Sequence, residues 1–182
     1  MKRLLYVPLL LLLACGQQQP ANTETSVAQA ATDGGQSTVQ DDISEPNVVR
    51  VAVGSPDHTT LVAALKGAEY VDALSNAGPF TVFAPTNEAF DKLPAGTVEN
   101  LLKPENKDAL RNILEYHVYV GVIKEDYVQD GMTLNQVNLD NVTFHKKDGK
   151  ITVNGANVLG VVKATNGLVY VIDAVLLPPD KK

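Results

Sequence analysis

After Met1-Lys2-Arg3 the chain runs apolar from Leu4 to Ala14 and then meets Cys15. Two cations followed by about ten apolar residues have the form of a secretory signal. The run is about half the ~20 residues a helix needs to cross a bilayer, so it predicts a leader and not a membrane span. Residues 16–46 then lose the pattern. Gln, Ala, Thr, Ser, Asp and Gly dominate, aromatics are missing, and Val27, Val39 and Ile43 are the larger apolar side chains. Such a stretch cannot bury enough surface to offset the entropy of ordering. It reads as a spacer, with a root-mean-square span of roughly 30 Å as a flexible coil.

Periodic patterning belongs to residues 47–182. Ser55-Pro56-Asp57 opens a stretch with Leu61, Val62 and Leu65 at helical spacing, continued by Ala68, Val71 and Leu74 and stopped at Gly78-Pro79. Phe80–Ala84 is a short β-prone run closed by Pro85, which predicts a buried strand. Thr86 or Asn87 can cap a brief helix carrying Ala89 and Phe90 and ending at Pro94. Thr97 starts a further turn with Val98, Leu101 and Leu102. Pro104 suits the first position of a helix that places Leu110, Ile113, Leu114 and His117 along one face.

From residue 118 the texture changes. Val142–His145 and Ile151–Val153 flank Lys147-Asp148-Gly149-Lys150, a hairpin signal. Asn154-Gly155 turns into Val158–Lys163, and Asn166-Gly167 into Leu168–Leu177. Helices first and a β-meander second predict an α+β domain.

Charge removes some functions from consideration. The 182 residues carry 15 Lys plus Arg against 21 Asp plus Glu, a formal charge of −6. An acidic balance argues against nucleic-acid binding, which needs a basic footprint on phosphates. With the two leader cations and the five spacer acids set aside, the domain itself carries −3, ordinary for a soluble module. The single Cys rules out an intrachain disulfide framework and any multi-cysteine zinc or iron–sulfur site.

Cys15 has a more specific reading. Leu12-Leu13-Ala14-Cys15 resembles the bacterial lipobox, in which the thiol is acylated (palmitate-type chains) and the leader is cut just before it. Several acyl chains, at ~0.8 kcal/mol per buried methylene, give stable attachment. The resemblance implies three parts: a signal over 1–14, a lipidated Cys15 with an acidic linker over 15–46, and a domain over 47–182. It implies a bacterial cell envelope location, facing the periplasm or the exterior, with membrane contact through the lipid anchor only.

Three segments of the domain resemble one family. Gly78-Pro79-Phe80-Thr81-Val82-Phe83-Ala84-Pro85-Thr86-Asn87-Glu88-Ala89-Phe90 resembles the first signature of fasciclin domains, and Asn166–Pro179 resembles the second. Tyr116-His117 between them matches the family's Tyr-His pair. Tyr170 stands where many members carry His. The fold this implies is a fasciclin-like β-wedge or β-sandwich with helices packed on one side. The family's members are secreted or surface-anchored, and many mediate adhesion through protein or matrix contacts.

Candidate chemistry is sparse. Ser55 and Ser75, the domain's two serines, lie outside any Gly-x-Ser-x-Gly elbow, so no catalytic residue is assigned. His58, His117 and His145 are far apart, no metal-ligand spacing occurs, and no cofactor is expected. Tyr116 and His117 have two readings: hydrogen-bonded core groups, or the adhesive site proposed in fasciclin relatives. Asn106-Lys107-Asp108-Ala109-Leu110 resembles an integrin-linked segment of animal relatives, which makes Asn106 and Asp108 candidate contacts. The same residues also read as the opening turn of a helix, with Asp108 near its positive end.

The expectation is therefore a surface-anchored, non-enzymatic adhesion or protein-interaction module. The alternative is an extracytoplasmic binding protein for a small apolar or carbohydrate ligand. The first calls for an exposed apolar patch, the second for a concave, mostly apolar pocket of roughly 300–1,000 Å³.

Overall fold

The computed structural model describes residues 45–179, so Cys15, the leader and most of the spacer lie outside the described residues. Asn47 begins the ordered helices by capping α1 (Val48–Val53), its Oδ1 accepting the Arg50 N–H at 2.9 Å. Ser55 caps a 3₁₀ turn (Pro56–His58) that runs into α2 (Thr59–Gly67). The helical stretch read as continuing to Leu74 is interrupted. Glu69 takes a left-handed φ of 52°, and α3 (Val71–Ser75) starts afresh after it.

The first strand, β1 (Phe80–Pro85), is followed by α4 (Asn87–Asp91), whose Thr86 cap accepts the Ala89 N–H. Next come α5 (Thr97–Leu101), a 3₁₀ turn at Pro104–Asn106, and α6 (Lys107–Tyr116). The second half contributes β2 (Val118–Val120), a 3₁₀ turn at Glu125–Tyr127, β3 (Thr133–Asn135), β4 (Asn141–Lys147), β5 (Lys150–Val153), β6 (Ala156–Ala164) and β7 (Gly167–Ile172).

Two hairpin turns follow from their sequences. Asp148-Gly149 and Asn154-Gly155 each have positive φ at both turn positions, as a two-residue turn matching the strand twist requires. The third differs from expectation. Ala164 pairs with Gly167, so the turn residues are Thr165-Asn166 and Gly167 already belongs to β7.

The seven strands lie in the order β2-β1-β7-β6-β5-β4-β3. All neighbours are antiparallel except β1 and β7, which run parallel from Phe80↔Gly167 to Pro85↔Ile172. Beyond β3, the Val137 N–H donates to the Val118 carbonyl at 2.9 Å, bringing the last strand back towards β2. The sheet is thus a nearly closed wedge.

Alternation along β1 and β7 separates two cores. Val82, Ala84 and Val169 face the helices and pack with Leu61, Leu65, Leu110 and Leu114. Phe83, Tyr170 and Ile172 face the inside of the wedge, with Val142, Phe144 and Val153. There Phe83 lies 5.8 Å from both Phe144 and Tyr170, centroid to centroid, in tilted contacts that aromatic quadrupoles favour. The parallel pairing demands glycine at its start: a Cβ on Gly167 would run into the carbonyl of Phe80.

Candidate functional site

Helix α6 and the residues that flank it, Asn106 before and His117 after, hold all four candidate contact residues, and the structure sorts them to its two ends. Asn106 and Asp108 sit at the N-terminal end, where Asp108 is exposed and the Asn106 Nδ2 donates to the Asn100 carbonyl at 2.7 Å. Tyr116 and His117 lie at the C-terminal end, about 12–15 Å away at 1.5 Å rise per residue. One pair faces water and the other is interior, so the four do not form one site.

Tyr116 is 2% exposed. Its hydroxyl donates to the Asn141 carbonyl at 2.8 Å and accepts from the Asn154 Nδ2 at 2.7 Å. Asn154 is itself placed by its left-handed turn position and by accepting the Thr143 N–H at 2.8 Å. Burial raises the phenol's pKa, with the Asn154 bond acting the other way. The side chain therefore ties the end of α6 to β4 and to the β5–β6 turn.

His117 is 3% exposed and points to a different neighbour. Its Nδ1 lies 2.7 Å from the Ile113 carbonyl, and its Nε2 accepts the Leu176 N–H at 3.0 Å. An Nε2 that accepts leaves the proton on Nδ1, so the ring is the neutral Nδ1–H tautomer. Burial pushes its pKa down to about 4, opposed by the Ile113 carbonyl. A proton on Nε2 would face the Leu176 N–H head on.

Tyr170 fills the place where the family often has His. Its ring is fully buried and its hydroxyl donates to the Ile123 carbonyl at 2.6 Å. Burial, with Glu125 adding to it, pushes this phenol up to about 12.

The serines serve local structure. Ser55 Oγ accepts the Asp57 N–H and lies 2.8 Å from Nδ1 of His58, a buried histidine whose pKa burial lowers. This Ser–His contact was not read from the sequence, yet it closes within one 3₁₀ turn as a cap. Ser75 donates back to the Val71 carbonyl within α3. Among the described residues, no group of His, Cys, Asp and Glu is placed to hold a metal ion.

Surface and cavities bear on the two expected functions. Val120, Val122 and Tyr127 are 63%, 47% and 68% exposed, within one short stretch after α6. Two apolar cavities beside α6, of about 20 and 10 Å³, are no larger than a water needs. The large concavity, about 1090 Å³, is an open groove of mixed polarity. It lies between the Ser75–Pro79 loop, residues 122–126 and the β6–β7 hairpin. Among the described residues, no helix is long and apolar enough to cross a membrane.

A helix-backed, nearly closed β-wedge with a buried Tyr-His pair between its two signature strands defines the fold class of this domain. The family model of the Fasciclin domain matches residues 56–178, and the chain belongs to that family. It is 48% identical over 168 residues to Protein sll1483 of Synechocystis sp., covering 92% of this chain and 87% of that one. Immunogenic protein MPT70 of Mycobacterium tuberculosis is 40% identical over 157 residues, covering 82% and 78%. Cell surface glycolipoprotein MPB83 of Mycobacterium bovis is 39% identical over 142 residues, covering 75% and 63%. Among solved structures, the FAS1 domain pair of the insect cell adhesion molecule Fasciclin I superposes with a TM-score of 0.63 at 20% identity. That match covers 72% of this chain and 51% of the other, so the chain spans about half of the domain pair.

Proposed function

We propose that this protein is a non-enzymatic adhesion or protein-interaction module, held at a bacterial cell envelope by acylation of Cys15. The observation that carries the reading is a set of three exposed apolar side chains, Val120, Val122 and Tyr127, in the stretch that runs from the end of β2 to the 3₁₀ turn at Glu125–Tyr127. Exposed apolar groups on a rigid frame are what a protein-binding surface needs. The apolar cavities are too small for an apolar ligand of ordinary size, which favours surface contact over the ligand-carrier alternative. The printed name of one relative, a cell surface glycolipoprotein, agrees with an anchored, outward-facing location. Tyr116 and His117 act in this reading as internal ties that hold the stretch in place, while the candidate contacts Asn106 and Asp108 lie at the other end of α6.

The test is binding to envelope or matrix components by the wild-type chain and by a Val120→Asp, Tyr127→Ser variant. Loss of binding with an unchanged denaturant melt supports the reading. Unchanged binding by a folded variant rejects it.

A further inference from the structure

Asparagine followed by glycine occurs twice in the chain, at Asn154-Gly155 and at Asn166-Gly167. Glycine leaves its backbone nitrogen unshielded, so in both places that nitrogen is chemically able to attack the preceding carboxamide. The fold treats the two differently. Asn166 is half-buried, its Nδ2 donates to the Leu74 and Asn76 carbonyls, both at 2.8 Å, and its Oδ1 accepts the Val48 N–H at 2.9 Å. Gly167 is paired on both sides within the sheet, and a Cβ there would run into Phe80. Asn154 and Gly155 are exposed, both at positive φ, in the two-residue turn between β5 and β6. Nothing lies within 4 Å of the Cβ position of Gly155. The Asn154 side chain is held by two bonds, its Nδ2 donating to the Tyr116 hydroxyl at 2.7 Å and its Oδ1 accepting the Thr143 N–H at 2.8 Å.

We infer that Asn154-Gly155 is a site of spontaneous covalent conversion, where Asn154 becomes aspartate or isoaspartate and loosens the tie between α6 and the sheet, while the fold holds Asn166-Gly167 inert. The Gly155 nitrogen forms a bond to Cγ of Asn154, the Cγ–Nδ2 bond breaks, and ammonia leaves with the Gly155 amide proton. Water then opens the five-membered imide. Addition at Cγ gives aspartate, and addition at the backbone carbonyl gives isoaspartate, whose main chain runs through the side-chain methylene. Either product removes the donor from which the Tyr116 hydroxyl accepts. The phenol proton serves the Asn141 carbonyl at 2.8 Å and cannot serve a carboxylate as well, so one acceptor is stranded. Isoaspartate also lengthens a two-residue turn whose backbone fits the strand twist. The change does not reverse once ammonia has gone, so it accumulates with the age of the chain. The turn, its exposure and its two bonds carry the assignment, and none of them depends on what Val120, Val122 and Tyr127 bind.

Peptide mapping by mass spectrometry tests it on the full chain, incubated folded at mildly alkaline pH and, in parallel, in denaturant. In the folded chain, conversion should run at least about tenfold faster at Asn154 than at Asn166, because a surface turn opens more easily than paired strands. In denaturant the two rates should draw level. Tyr116→Phe, which frees the Asn154 Nδ2, should speed conversion at Asn154 alone, with Asn166 reporting any general unfolding in the same sample. Converted chains, separated by their added negative charge, should melt at lower denaturant than unconverted ones. Equal rates at the two sites in the folded chain would overturn the inference, as would a preference for Asn154 that persists in denaturant. So would a Tyr116→Phe rate unchanged at Asn154 or raised equally at both sites, and so would a melt unmoved by conversion.

Discussion

The imidazole of His117 accepts the backbone N–H of Leu176 at 3.0 Å, fastening the segment after β7 to the C-terminal end of α6. The bond is buried, and it works only while Nε2 is unprotonated.

Replacing His117 with Ala leaves the Leu176 N–H and the Ile113 carbonyl without their partner. The expected cost is about 1–3 kcal/mol for the orphaned groups, with a cavity contribution on top. A denaturant melt of the variant measures it. A change under about 0.5 kcal/mol, the range of surface substitutions, would contradict the burial.

Acid should weaken the same contact. With its pKa pushed down to about 4 in the fold and an ordinary value near 6.5 when unfolded, His117 binds its proton more readily in the unfolded chain. Its contribution is whole above pH ~6.5, declines as pH falls, and is gone below pH ~4, a loss of about 3 kcal/mol. His58, also lowered by burial, adds a decline of the same sign. Melts from pH 7 to pH 4 should therefore slope less steeply in His117→Gln than in the wild type. Parallel slopes would contradict the assignment.

Tyr116→Phe keeps the ring and removes the hydroxyl, stranding the Asn141 carbonyl and the Asn154 amide. A loss of about 1–2 kcal/mol is expected, with binding to any surface partner retained at temperatures where the variant is folded. Binding lost from a fully folded variant would move Tyr116 into the contact surface.

Gly167→Ala should cost at least about 2 kcal/mol, because the added methyl meets the Phe80 backbone, which cannot swing aside as a side chain would. Gly96→Ala, with open space around its Cβ position and strain from its φ of 80° alone, should cost less. Equal melts for the two variants would show that β1 and β7 approach less closely than described.

Changing Cys15 to Ser should release the protein from the membrane fraction or leave it unprocessed, with the domain folded. Mass spectrometry of the wild-type chain decides the premise, since a mature form without acyl groups would reject it.

Much of the architecture was legible because local signals carried it. Asp148-Gly149 and Asn154-Gly155 announce turns whose φ values only such residues adopt easily. The two signatures sit on the paired central strands, and Thr86 caps α4 as its type suggests. Other elements left no local trace. Val48–Val53, a run of β-branched residues around Arg50 and Ala52, has the composition of a strand, yet Asn47 caps it into a helix because burial against α2 and α3 outweighs propensity. The break at Glu69 was equally silent, since nothing in an apolar period of 3.6 marks one left-handed residue. At the candidate site, the sequence put His117 on an apolar face but could not supply Leu176, nor Asn154 for Tyr116. Those partners come from strands and turns far along the chain, and only folding brings them near.

The parallel pairing of β1 with β7 has a consequence for how such a chain comes into being. A strand made early must wait for one made near the end, since no local partner can fill the β7 position beside it. A chain threaded through a membrane from its N-terminus would emerge with one edge of Phe80–Pro85 left open, even after β2 had paired on the other, until Gly167–Ile172 followed. Contacts of such long sequence separation close slowly, so the exposed strand is the place for an export chaperone to hold. A fragment ending before Gly167 should stay bound there, whereas one ending after Leu176 should let go.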